Sequence, residues 1–152
     1  MLTVIGVGNP WRRDDAAGLA VARRLRGTLP GATVLEREGE PAGLIDAWDG
    51  ADRLWLVDAV SSEAAPGTVH RIDIASEELP ADLFQASTHH LGLAEAVELA
   101  RALGRLPAHA VFYGIEGESF DAGEGLSEDV EQAVETVAQA IGEEVERCTS
   151  AS

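Results

Sequence analysis

Two adjacent carboxylates, Asp14 and Asp15, a lone carboxylate, Asp58, and two adjacent imidazoles, His89 and His90, are the residues of this 152-residue chain best suited to chemistry. Asp15, Asp58 and His89 form the kind of mixed oxygen and nitrogen donor set that a borderline divalent metal such as nickel or zinc accepts. The same three groups can equally serve as acid, base and orienting group. Each also has a plainer explanation. Acidic residues at a helix start stabilise it through capping and the helix dipole. Histidines just ahead of a helix are most often surface loop residues. Asp58 is the hardest to set aside, because a charge inside an apolar strand run is costly unless it is paired or caps the loop that follows.

The elements around these residues supply the positions. Leu2 to Val7 is a short apolar run that ends in Gly6-Val7-Gly8-Asn9 and reads as a buried strand. Asp14 and Asp15 follow and open an amphipathic helix through Leu19, Val21 and Leu25. Ala32 to Leu35 reads as a second strand, running into an acidic loop with Glu36, Glu38 and Glu40; Pro41 starts a second helix. Leu54 to Val60 is nearly continuous in apolar character, as in a central strand covered on both faces, and Asp58 is its one charge. Thr68 to Ile72 alternates like a more exposed strand. Ala75 to Thr88 holds a short helical turn and a loop. A helix runs from Leu91 to near Gly104, Ala110 to Ile115 is a strand, and Ser127 caps a last long helix. Strands alternating with helices predict a three-layer α/β sandwich, its twisted sheet of about five strands mostly parallel but mixed. Residues 1–148 form one domain, with a disordered tail over 149–152. In such sheets ligands bind beyond the carboxyl ends of the strands, where Asp15 and Asp58 fall.

Composition narrows the function classes. Twenty-seven acidic residues against 11 basic give a formal charge of −16, which argues against nucleic acid or an anionic membrane as partner. The single cysteine, Cys148, allows no internal disulfide and no thiolate cluster for structural zinc. With no basic region ahead of a long apolar segment, the expected location is cytoplasmic.

The Gly6-x-Gly8 turn, with Glu36 ending the next strand, also suggests a dinucleotide site. Trp11 stands where the third glycine of that fingerprint belongs, and Asp14 and Asp15 bring negative charge to the place of a pyrophosphate. His70 and His109, beside strands and with no acidic companion evident in the sequence, read as structural, and Glu38 and Glu40 as solvated loop charges.

Gly6-Val7-Gly8-Asn9 followed by Asp14-Asp15, the strand ending in Val57-Asp58-Ala59, and Ser87-Thr88-His89-His90-Leu91-Gly92-Leu93 together resemble the [NiFe]-hydrogenase maturation endopeptidases. The resemblance extends from about Leu2 to the last helix. It implies an α/β sandwich protease that removes a C-terminal extension from the precursor of the hydrogenase large subunit after nickel insertion. It further implies that Asp15, Asp58 and His89 contact nickel held by the precursor, so that the free protein need carry no stable metal. Two departures stand out: the first position of the trio, often glutamate, is Asp15 here, and the loop often reading Asp-Gly-Gly-Thr is Glu38-Gly39-Glu40-Pro41. On this basis water attacks the peptide bond, activated by the metal or by Asp15 or Asp58 as base. No nucleophile elbow, Cys-His signature or HExxH supports another hydrolytic route. The alternatives are a non-enzymatic nickel-binding chaperone for hydrogenase assembly and a nucleotide-binding domain.

Overall fold

The computed structural model describes residues 1–84 and 91–150. Five strands form one sheet: β1 (Leu2–Val7), β2 (Ala32–Arg37), β3 (Arg53–Val60), β4 (Val69–Asp73) and β5 (His109–Glu116). Their order is β2-β1-β3-β5-β4. β1 pairs in parallel with β2 and β3, and β3 with β5, while β4 lies antiparallel on the outer edge of β5. The sheet is therefore mixed and mostly parallel, as the exposed alternation of the fourth strand predicts.

The three central strands are buried on both faces because four helices cover them. Side chains alternate between faces along a strand. Val4, Trp55, Val57, Ala59, Tyr113 and Ile115 meet α1 (Ala17–Leu25) and α4 (Glu128–Ser150) through Val21, Val134 and Ile141. Ile5, Val7, Leu54, Leu56, Val60 and Phe112 meet α2 (Pro41–Trp48) and α3 (Leu91–Leu103) through Leu44, Trp48, Leu93 and Val97. Asp58 has the parity of Leu56 and Val60, so it belongs to the face that α2 and α3 cover.

Local chemistry fixes the helix starts. α2 begins at Pro41, and the Glu40 carboxylate caps it by accepting from the Ala42 and Gly43 N–H groups at 3.0 and 2.7 Å. The two early carboxylates do not open α1 itself. They lie in a separate 3-10 turn, Arg13–Ala16, and α1 starts one residue later. At the other end of the chain, α4 continues through Ser150, so Thr149 and Ser150 are helical rather than part of a disordered tail; Ala151 and Ser152 lie outside the described residues. Continuing the amphipathic pattern of α4 lets Cys148 pack against the core, which holds the last turn in place. Among the described residues no helix is long and apolar enough to cross a membrane.

Candidate functional site

The carboxyl ends of β1 and β3 open into a cleft of about 300 Å³ lined by Gly8, Asn9, Asp15, Glu38, Gly39, Glu40 and Asp58, with Val7 at its base. Both aspartates singled out by the sequence thus face one cavity, although 42 residues of chain lie between them. They are also buried, Asp15 to 4% and Asp58 to 2% exposure. Asp15 accepts a hydrogen bond from the Asn9 N–H at 3.0 Å, and Asp58 accepts one from the Ala59 N–H at 2.8 Å. A backbone donor therefore helps to orient each carboxylate in the cleft wall.

The turn that carries Asp15 folds directly over the strand end. A Cβ on Gly8 would lie 2.1 Å from the Asp15 carbonyl oxygen, so only glycine permits this approach. The protein's own backbone occupies the space above Gly8 that the phosphates of a dinucleotide would need. Glu36, the candidate ribose acid, is tied to Arg23 and Arg26 at 2.8 and 2.7 Å. Both observations count against the nucleotide alternative.

Asp14 serves a different purpose from its neighbour. It is fully buried and points away from the cleft, accepting from the Ser127 N–H at 2.7 Å, the Ser127 hydroxyl at 2.7 Å, and the Glu118 and Ser119 N–H groups at 2.8 and 3.0 Å. Burial acts to raise its pKa, but the bonds from Ser127, Ser119 and Glu118 outweigh it and hold the carboxyl below its ordinary value. Asp14 is the clamp that fastens the loop after β5, and with it the start of α4, to the turn that carries Asp15.

His89 and His90 lie outside the described residues. Described structure resumes at α3, and its second residue packs against the cleft wall: a Cβ on Gly92 would sit 1.9 Å from the Gly39 carbonyl oxygen. Among the described residues no group of three His, Cys, Asp or Glu side chains is arranged to hold a metal ion.

Two features escaped the sequence reading. Glu38 and Glu40 read as solvated loop charges; both are exposed, yet both line the cleft, and Glu40 is also the α2 cap. His70 does have an acidic partner, Glu116, at 3.1 Å, distant in sequence but adjacent across the β4–β5 pair. Glu116 is 1% exposed and also accepts from the Ser62 N–H at 3.1 Å and the Ser62 hydroxyl. This network ties the loop after β3 to the end of β5. His109, read as structural, is exposed at the opposite, amino end of the sheet.

Comparison with known proteins agrees with this fold. A family model described as hydrogenase maturation protease (HycI) matches residues 22–144. The hydrogenase 2 maturation protease of Escherichia coli K12 is 34% identical over 147 residues, covering 92% of this chain and 87% of that protein. Among solved structures, the hydrogenase maturating endopeptidase HybD from E. coli superposes with a TM-score of 0.78 at 29% identity, over 92% of this chain and 88% of that one. The [NiFe] hydrogenase maturation protease HybD from Thermococcus kodakarensis superposes with a TM-score of 0.75 at 28% identity, over 95% and 99%.

Proposed function

The chain belongs to the hydrogenase maturation protease family and is a peptidase, and on that premise we propose that it removes a C-terminal extension from a [NiFe]-hydrogenase large-subunit precursor by recognising the nickel that the precursor carries. The observation that supports this reading is the meeting of Asp15 and Asp58 in one cleft at the carboxyl end of the sheet, each oriented by a backbone N–H. His89 completes the donor set from the segment just ahead of α3, whose Gly92 abuts the Gly39 carbonyl of the cleft wall. Nickel here is part of the substrate, not a resident cofactor.

The chemistry follows from those positions. Two carboxylates and an imidazole fill some of the coordination positions of the precursor's nickel, and this fixes one peptide bond beside the cleft. Such positioning is worth on the order of several kcal/mol of the barrier. Water then attacks the scissile carbonyl, activated by the metal or by Asp15 or Asp58 as base. Asp15, one methylene shorter than glutamate, would have a different reach to the metal.

The test is the intact mass of a nickel-loaded large-subunit precursor from the same organism, before and after incubation with this protein and with Asp58→Ala. Loss of one defined C-terminal peptide with the wild type alone is the expected result. An unchanged mass with a stable complex would replace the protease reading with the nickel chaperone.

A further inference from the structure

The turn between β1 and α1 lines the cleft and also a second, separate concavity whose walls are of a different kind. Gly8 and Asn9 line the cleft, and the next two residues, Pro10 and Trp11, line a neighbouring groove of about 470 Å³. The 3-10 turn is divided in the same way, Asp15 facing the cleft and Ala16 the groove. Trp11 is 64% exposed, whereas Trp48 and Trp55 are 0% and 4% exposed. Its backbone is nonetheless held on both sides: the N–H donates to Asn9 Oδ1 at 2.9 Å, and the carbonyl accepts from the Gly123 N–H at 2.9 Å. A large indole is therefore presented to solvent by a hydrogen-bonded turn, beside the partly buried Leu126. Rigid aromatic rings of this kind anchor partners at small entropic cost.

Charge identifies the partner's chemistry. Among its described lining residues the groove has one cation, Arg23, paired at 2.8 Å with Glu36, which Arg26 also holds. Its two described carboxylates, Glu124 and Glu131, are exposed and make no side-chain hydrogen bond or ion pair with another described residue. Two carboxylates against one cation leave the described lining net negative.

We propose that this groove seats an extended basic segment of the precursor, with an apolar side chain on the Trp11 indole and a lysine or arginine against Glu124 and Glu131. The identity of the partner rests on the protease reading, and the shared β1–α1 turn, which lines the cleft with some residues and the groove with their neighbours, makes the groove a specificity site for the same substrate. The cleft grips the metal; the groove reads the chain around it.

The test measures binding and cleavage separately, with the nickel-loaded large-subunit precursor of the same organism as probe. In a cleaving background, Trp11→Ala raises KM about tenfold and leaves kcat within about twofold, and Trp11→Phe recovers most of the loss. In an Asp58→Asn background, which keeps the precursor intact, Trp11→Ala weakens the complex by a similar factor. The Glu124→Gln, Glu131→Gln double variant weakens it and flattens its salt dependence. If the complex forms and Trp11→Ala weakens it, but no variant or wild type shortens the precursor, the groove stands and the protease reading falls. Unchanged KM and unchanged affinity on Trp11→Ala overturn the proposal. So does a Trp11-dependent change in sedimentation with precursor binding intact, which would assign the groove to a second copy of the chain.

Discussion

Asp14 and Asp15 are adjacent and chemically identical, yet the fold gives them opposite tasks. Asp15 faces the cleft, while Asp14 gathers four donors from the loop at 118–127. Hydrogen bonds to a buried charge are worth about 1.5–3 kcal/mol each before desolvation is subtracted. Replacing Asp14 by alanine strands those donors and is expected to cost about 3 kcal/mol in urea unfolding near neutral pH. The sign of the pH effect follows from the depressed pKa. The contribution is fully present above the ordinary value of 3.8 and disappears as pH falls through the lower folded-state value. The stability difference between wild type and Asp14→Asn should therefore narrow in acid, read from unfolding midpoints at about pH 6 and pH 2.5. The sequence singled out Asp15 for the site and left Asp14 only a helix-start role. Its task as a clamp depends on a loop more than 100 residues away, and no local spacing records that.

At the scale of elements, most of the fold was legible. The near-continuous apolar run of β3, the alternation of β4 and the helical period of α3 each reflect how many faces the element buries. Side-chain ties between distant elements were not legible, because they leave no period. One such tie joins β4, β5 and α4: Arg71 donates to Glu144 at 2.6 Å, the Tyr113 hydroxyl donates to Glu144, and the Trp55 indole N–H donates to it at 3.4 Å. Burial, followed by the hydrogen bond to Glu144, pushes the Tyr113 phenol up to about 12. Since Tyr113 is the sole tyrosine, a spectrophotometric titration reads it directly. Glu144→Gln should lower that pKa, because it removes the neighbouring negative charge while leaving the phenol buried. The helix beside the cleft gives a second prediction. Gly92→Ala drives a Cβ into the Gly39 carbonyl, forcing the start of α3 away from the loop that carries Glu38 and Glu40. Strain of that kind costs about 1–3 kcal/mol. Precursor cleavage should fall at least tenfold, as judged by intact mass, because a shift of about 1 Å at a reacting site is enough to cost that much.

Across the whole molecule, the two ends of the sheet divide the work. Toward the amino end the Tyr113–Glu144–Arg71 tie fastens α4 to the sheet beside a cavity of about 340 Å³ that Arg71 and Glu144 line with Arg53 and His109, and the carboxyl end gathers the cleft, the groove and the Asp14 clamp. The meeting of Asp15 and Asp58 at the carboxyl end of the sheet was legible in the sequence, because parallel strands present their carboxyl ends together. Glu38 and Trp11 come from loops, whose course depends on the elements they cross, so their place on the rim was not. Burying Asp58 at 2% exposure in an otherwise apolar strand is a cost that packing does not require. Asn in its place preserves shape and can still accept from the Ala59 N–H, but it carries no charge to bind a metal or take a proton. Asp58→Asn should therefore unfold within about 1 kcal/mol of the wild type, or at slightly higher denaturant. Its cleavage of the precursor should fall at least a hundredfold, about 2.7 kcal/mol at the transition state. Thermal unfolding and precursor mass on the same preparation measure both quantities. A variant that loses activity and stability together would make Asp58 a structural residue and move the chemistry to Asp15 and the cleft's other carboxylates.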